Sequence, residues 1–353
     1  MKRQKQHKPW RTRAGALLLG LAMFSSMGGV ARGASGAGEG SMPKTLIPIG
    51  HTVGIKLFSE GVLVVGLSEL ETNKGTAAPA KDCGLKVGDF ILEADGKEVE
   101  STEHFQSLMA AAGGEETCLT VKRNGKTMEL EVSGVQCSDG AWRLGAWVRD
   151  SLAGIGTMTF YDPESGVFAT LGHGINDVDT GQLMTLDVGS IMGSTVKAVQ
   201  KGVSGQPGEL RGDFDMSGDL GDLYANTACG VFGTMDSCPM AANSKAIEVA
   251  RPDQVRKGSA EILANISGDQ VERYQVEITK ICSGSGDTQN FIIKVTDPKL
   301  LEATGGIVQG MSGSPVIQDG RLIGAVTHVM VDDPTSGYGI FIENMLNAAG
   351  LSG

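Results

Sequence analysis

Hydrophobic and polar positions alternate in short runs along most of the chain, broken every few residues by glycine, a rhythm that predicts strands rather than long helices. A brief Val53-Gly-Ile-Lys-Leu57 segment precedes an apolar strand over 61–67, a polar loop and a helical turn over 77–84. Residues 87–96 read as a strand ending in an Asp95-Gly96 turn. A helix is predicted to start at Ser101 or Thr102 as N-cap, with Glu103 in its first turn. Two alternating runs, 119–123 and 126–132, flank Asn124-Gly125, the two-residue signal of a type I′ hairpin. Beyond Cys137 the pattern turns to glycine-punctuated β segments at 141–149, 156–161, 167–171 and 194–199. Residues 306–328 read as a strand, a glycine-flanked turn and a hairpin around Asp319-Gly320.

A length of 353 residues suits two domains and a leader. With 52 glycines and only 5% aromatic residues, short strands joined by tight turns are favoured over a helical bundle. The fold class expected is mainly β with some α: a small N-terminal domain followed by a β-barrel or sandwich. Residues 1–34 carry a basic start and an apolar run over 14–31 that ends among small residues, the pattern of a signal peptide or a single membrane anchor. Residues 35–50, rich in Gly, Ser and Ala, read as a linker. The first domain is placed at 51–134 and the second at 137–353.

The formal net charge is -11, but the leader alone holds seven Lys/Arg and no Asp/Glu, leaving 23 basic against 41 acidic residues in the body. Such a field repels a phosphate backbone and excludes nucleic acid as partner. Six cysteines show no C-x-x-C spacing, and their pairing is left open. There is no H-E-x-x-H and there are few histidines, so no metal and no cofactor is implied.

The run from Cys83 to Val99, Cys-Gly-Leu-Lys-Val-Gly-Asp-Phe-Ile-Leu-Glu-Ala-Asp-Gly-Lys-Glu-Val, resembles the core of PDZ domains. That resemblance implies a groove in which backbone amides of a glycine-containing loop hold a peptide C-terminus while a strand edge pairs with it. On it, the loop falls at Gly54, Ile55 and Leu57.

The chemistry is concentrated in Gly310-Met-Ser-Gly-Ser-Pro315. A serine hydroxyl is a weak nucleophile, so acyl transfer needs a base within hydrogen-bond reach and N–H donors aimed at the developing oxyanion. Ser312 is the candidate nucleophile, with Ser314 its competitor inside the motif. Only His173 and His328 lie in the second domain. His173 ends a β run at a strand-to-loop edge, whereas His328 lies on the strand expected beside the substrate and reads as a pocket wall. A third group must orient the imidazole; Asp297 leads, with Asp177 and Asp179 as alternatives. The serine segment resembles that of chymotrypsin-fold peptidases, which implies a chymotrypsin-like β-barrel peptidase domain and an oxyanion hole from the amides of Gly310 and Ser312. Met311 replaces the aspartate usual in that family, so activation by a freed N-terminus lacks its partner.

The order of leader, PDZ, Leu171-Gly-His-Gly-Ile, Val295-Thr-Asp-Pro, Gly310-Met-Ser-Gly-Ser-Pro, Thr327-His-Val and Gly337-Tyr-Gly-Ile-Phe-Ile is similar to the stage IV sporulation protein B peptidases of endospore-forming bacteria. The resemblance implies a His173, Asp297, Ser312 triad, export into the space between mother cell and forespore, and self-cleavage near the N-terminus. It also implies cleavage of a membrane-bound regulator that restrains an intramembrane metalloprotease, and so activation of a late mother-cell sigma factor. The competing expectation is a catalytically inactive PDZ adaptor at the cell envelope.

Overall fold

The computed structural model describes residues 44–282 and 288–351. The leader, whether signal or anchor, and most of the 35–50 linker lie outside the described residues. Among the described residues no helix is long and apolar enough to cross a membrane, and no disulfide joins the cysteines.

The chain is mostly β. Its first barrel closes through six strands, running Thr52–Leu67, Ala146–Tyr161, Val167–Thr170, Gly230–Thr234, Glu209–Thr227, Val188–Gln200 and back to Thr52–Leu67, each antiparallel to the next. Val53, Ile55, Met158, Phe168, Ile191 and Val231 fill it from alternate positions, as a pleated strand with one face inward requires. The second barrel closes through Gly258–Ser267, Gln270–Ile281, Phe291–Val295, Asp333–Phe341, Arg321–Met330 and Pro315–Gln318. Its core holds Ile262, Tyr274, Val276, Ile293, Val316 and Val326. Two such barrels are the chymotrypsin-like architecture expected of the peptidase domain. The Ile342–Ala348 helix then turns Met345 and Leu346 onto Leu46, Phe160 and Phe232 of the first barrel, fastening the chain end across both.

The PDZ domain is not a bead ahead of this pair. The strands Thr52–Leu67 and Ala146–Tyr161, 16 residues each, begin or end inside the first barrel and run on out of it. Their outer halves, paired from Ala146↔Leu67 to Arg149↔Leu63, become part of the PDZ sheet. That domain adds the strand Phe90–Ala94, the hairpin Glu116–Arg123/Lys126–Ser133 and the Thr102–Ala112 helix around a core of Val64, Ile91, Phe105, Leu119 and Val121. The hairpin turns at Asn124 (φ 50°) and Gly125 (φ 75°). Ser101 caps the helix by accepting from the His104 amide at 3.1 Å.

Two sequence expectations change here. Residues 45–58 belong to the first barrel rather than to a linker and the start of the PDZ domain: Thr45–Pro48 pairs with the Ala146–Tyr161 strand, and the following strand is its next neighbour. Gly54, Ile55 and Leu57 therefore form no carboxylate-binding loop. They pair with Ile155, Gly154 and Leu152 on one side and with Met192, Ile191 and Gly189 on the other. A strand occupied along both edges has no backbone N–H left for a peptide. The alternation that suggested a PDZ strand is real, but the same strand serves the barrel first and the PDZ sheet afterwards.

Candidate active site

Ser312 sits in the turn between the Pro298–Thr304 helix and the Pro315–Gln318 strand. This turn is pinned to the first barrel by alternate residues of one strand. Thr157 Oγ1 donates to the Gly310 carbonyl at 2.7 Å, Thr159 Oγ1 donates to the Gly313 carbonyl at 2.8 Å, and the Thr157 amide donates to the Ser312 carbonyl at 2.9 Å. A period of two places both hydroxyls on one face. Gly313 is required at this contact: its φ is +97°, and a Cβ there would lie 2.0 Å from the Thr157 carbonyl oxygen.

His173 arrives from the first barrel, three residues after the Val167–Thr170 strand. The chain reaches it through Leu171 (φ 68°) and Gly172 (φ 69°), two successive left-handed residues. A branched side chain at such a φ is uncommon and costs about 1–2 kcal/mol, a strain tolerated where a surrounding core over-determines the backbone; Leu171 is buried in the barrel core.

His173, Ser312 and His328 open on one cleft of about 440 Å³, whose walls include Leu152, Gly154, Ile155 and Thr327. The rings of His173 and His328 lie 4.6 Å apart between centroids, tilted by 35°. His173 Nδ1 is 2.8 Å from the Gly174 carbonyl. A carbonyl only accepts, so Nδ1 carries the proton and Nε2 keeps its lone pair, the form a general base needs. Burial lowers the His173 pKa below the ordinary imidazole value, against an opposing pull from the Gly174 carbonyl. Desolvation, followed by the charge of His173, takes His328 down to about 4.

Ser312 Oγ donates to the Thr327 carbonyl at 2.6 Å rather than to His173. The hydroxyl of the candidate nucleophile thus rests on the neighbouring strand; hydrogen bonds between catalytic groups commonly tighten only when substrate is bound. No internal acceptor for the Gly310 or Ser312 amide is found among the described residues. The Gln309 carbonyl accepts from the Leu210 amide at 2.8 Å. Because the peptide is planar and trans, the Gly310 N–H points the opposite way, so the Glu209–Thr227 strand sets that donor's direction. The Ser314 hydroxyl is fully buried, faces no partner among the described residues and lies away from the cleft lining.

Asp297 does not meet His173. It is the N-cap of the Pro298–Thr304 helix, its Oδ1 accepting from the Lys299 and Leu300 amides and its Oδ2 from the Gln275 amide. An aspartate before proline suits a helix start as well as a triad, and here the cap occupies both oxygens. Asp177 and Asp179 bind Arg149 instead. The orienting group on His173 is a carbonyl.

Sequence reasoning missed three contributors. Thr157 and Thr159 hold the serine turn. Asn226 holds the histidine loop, donating to the Ile175 and Met184 carbonyls at 3.0 and 2.8 Å and accepting from the Ile175 amide at 2.9 Å. Its separation of 51 residues from Ile175 leaves no local signal.

The PDZ domain has its own groove, about 660 Å³, between the Thr102–Ala112 helix and residues 142–148. Phe105 and Met109 form one wall, Leu144, Gly145 and Ala146 the other. Over 146–148 the strand pairs with 64–67 on one edge, and among the described residues no strand pairs with its other edge.

The SpoIVB peptidase S55 family matches residues 140–346, and a PDZ family matches residues 75–123. No curated protein matches the chain. Among solved structures, the PDZ domain of the SdrC-like protein of Listeria monocytogenes is 22% identical over 25% of this chain and 87% of its own (TM-score 0.21). The Rv3671c protease of M. tuberculosis in its active form is 16% identical over 58% and 75% (TM-score 0.32). The HtrA-type protease AlgW with a decapeptide is 11% identical over 85% and 63% (TM-score 0.35). Since the first of these family matches spans more than half of the residues and takes in His173 and the whole Ser312 turn, the chain belongs to the SpoIVB peptidase S55 family and is a serine peptidase.

Proposed function

We propose that this chain is an exported endopeptidase in which Ser312 attacks the scissile carbonyl and His173 Nε2 takes its proton. The amides of Gly310 and Ser312 receive the oxyanion, and His173 returns the proton to the leaving amine. The observation that carries this reading is the opening of Ser312 and His173, from two different barrels, onto one cleft. The Gly174 carbonyl supports the imidazolium through a dipole rather than a full charge. That arrangement suits slow, selective cutting of a few substrates more than digestion.

The physiological reading follows the motif order of the family. The peptidase acts in sporulation, in the space between mother cell and forespore, with residues 1–34 as its export signal or anchor. It trims its own N-terminal region and cuts a membrane-bound regulator, releasing an intramembrane metalloprotease that activates a late mother-cell sigma factor. The PDZ groove takes an extended peptide, from the substrate or from the chain itself, as an added strand along 146–148, with its carboxylate against the turn at Leu144-Gly145.

A fluorophosphonate probe on the purified full chain tests the chemistry, with mass spectrometry of the labelled peptide and of the N-terminus. Labelling at Ser312, lost in Ser312→Ala together with N-terminal trimming, is the expected result. Trimming that persists in Ser312→Ala, or a wild-type chain that takes no label, overturns the assignment and favours the inactive adaptor.

A further inference from the structure

The loop that carries His173 does not stand alone in the first barrel; it rests on the PDZ domain. Met184, 1% exposed, packs in a small core with Leu63 and Phe90 of the PDZ sheet and Leu57 of the barrel, with Ile175 and Leu186 at its edge. Gln182 lies against Gly88, where a Cβ would come within 2.3 Å of its Nε2. One residue ties the two ends of this loop-to-PDZ contact together. Arg149 donates through Nη1 to Asp177 and through Nη2 to Asp179 at 2.7 Å, four and six residues beyond His173.

Asp177 is 1% exposed. Burial pushes its carboxyl up, but the amide and hydroxyl of Thr180 and the Arg149 guanidinium outweigh burial and hold its pKa below the ordinary range. It is an anion at neutral pH, and a buried anion needs its cation.

On the other side, Arg149 directly follows the open strand edge at 146–148, and its neighbour Asp150 reaches the helix across the groove. Asp150 Oδ2 accepts from the amide of Thr102, the first residue of that helix, at 2.8 Å. The pairing of Ala146–Tyr161 with Thr52–Leu67 shifts register both between Trp147 and Val148 and between Arg149 and Ser151. Bulges of this kind re-aim side chains and raise the local twist. Arg149 thus sits at an irregular joint, gripping the histidine loop with its side chain while the next residue grips the groove helix.

We propose that Arg149 is a positioning residue through which the PDZ groove sets the placement of His173. The proposal rests on the reading of Ser312 and His173 as the reacting pair. A strand added at 146–148, or a shift of the Thr102–Ala112 helix, alters the joint at Arg149 and Asp150, and the ion pairs carry the change to the loop. By linkage the effect runs both ways: a ligand held at the Ser312 site changes the groove's affinity for its peptide by the same factor as the peptide changes the affinity for that ligand.

The test uses the full chain and a fluorophosphonate, needing no knowledge of the natural peptide. Two quantities are read: the second-order rate of Ser312 labelling, and amide hydrogen exchange of 102–112 before and after labelling. The variant is Arg149→Met combined with Asp177→Asn, so that no buried charge is left unpaired; Arg149→Lys is the conservative partner. Cooperative unfolding confirms that each is folded. The expected result is labelling at Ser312 slowed about 10- to 100-fold in the double variant, the scale of a misplaced catalytic group, with partial recovery in Arg149→Lys. Labelling also changes exchange in the helix of the wild type but not of the double variant. A double variant that reacts at the wild-type rate, or whose helix responds as the wild type does, overturns the proposal. Failure of the wild type to label at Ser312 removes the reacting pair and this inference with it, and is told apart by that control alone.

Discussion

Thr157→Val isolates a bond by which one barrel fixes the Ser312 turn of the other. Valine keeps the shape of threonine and deletes one hydroxyl, which is buried and donates to the Gly310 carbonyl at 2.7 Å. No cavity forms, but that carbonyl, itself buried, loses its partner, at a cost of about 1–3 kcal/mol. Against a total stability of about 5–15 kcal/mol the protein stays folded, and the melting temperature falls by about 2–10 °C for a domain of this size. The larger effect falls on rate. In the proposed mechanism Gly310 supplies an oxyanion donor, and its carbonyl leads into the Met311 peptide, so the bond steadies the turn between that donor and Ser312. Outright removal of one such donor costs about 10²–10³ in kcat; a loosened one should cost about 10- to 100-fold, with KM little changed. The assay is the fluorophosphonate rate together with kcat and KM on a peptide substrate, with Thr157→Ser as the hydroxyl-retaining control. If Thr157→Val melts lower yet reacts at the wild-type rate, the hydroxyl only stabilises the fold and the positioning argument is wrong.

Burial keeps His173 neutral, so the acid limb of the kcat/KM profile should have an apparent pKa below the ordinary imidazole value of about 6.5, and activity should hold through neutral pH. The unfolded chain takes up a proton at about 6.5 and the folded chain only lower, so this group weakens folding as pH falls through that window; a kinetic limb at or above 6.5 contradicts the assignment. Asp297→Ser keeps an N-cap and removes the carboxylate, and should leave kcat/KM within about tenfold of wild type with little change in melting temperature. A loss near 10⁴ would restore Asp297 as the group that orients the imidazole. Asn226→Leu strands the Met184 carbonyl and the Ile175 amide, at about 1–3 kcal/mol each, while the Ile175 carbonyl keeps the Met184 amide; faster hydrogen exchange over 173–184 and slower Ser312 labelling should appear together.

What the sequence revealed was local or chemically explicit. Asn124-Gly125 and Asp319-Gly320 make their turns because both positions of each adopt positive φ, and Ser101 caps its helix. Two histidines in the second domain and the Gly310-Met-Ser-Gly-Ser-Pro315 run left little freedom in choosing Ser312 and His173, and the fold brings them to one cleft. What stayed hidden was set by distance or by ambiguity. Val53, Ile55 and Leu57 alternate in the same way whether the strand belongs to a barrel or to a PDZ sheet, and here one strand serves both. Asp297 before a proline fits a cap and a triad equally well. Arg149 and Asp177, 28 residues apart, share no pattern that would mark them as partners. Leu171 gives no hint that its backbone will turn left-handed.

The shared strands have a consequence for how such a protein can be built or dismantled. Phe58 and Ser151 face each other across the ladder just where the chain leaves the first barrel. A tight turn joining them would close that barrel as an ordinary hairpin, with the whole PDZ domain as an outgrowth of its tip. Severing the chain once would leave the module still stitched in by the opposite strand. A peptidase without its PDZ domain therefore calls for a splice at both strands together, and it would leave Asp177 without the cation that the lost segment supplied.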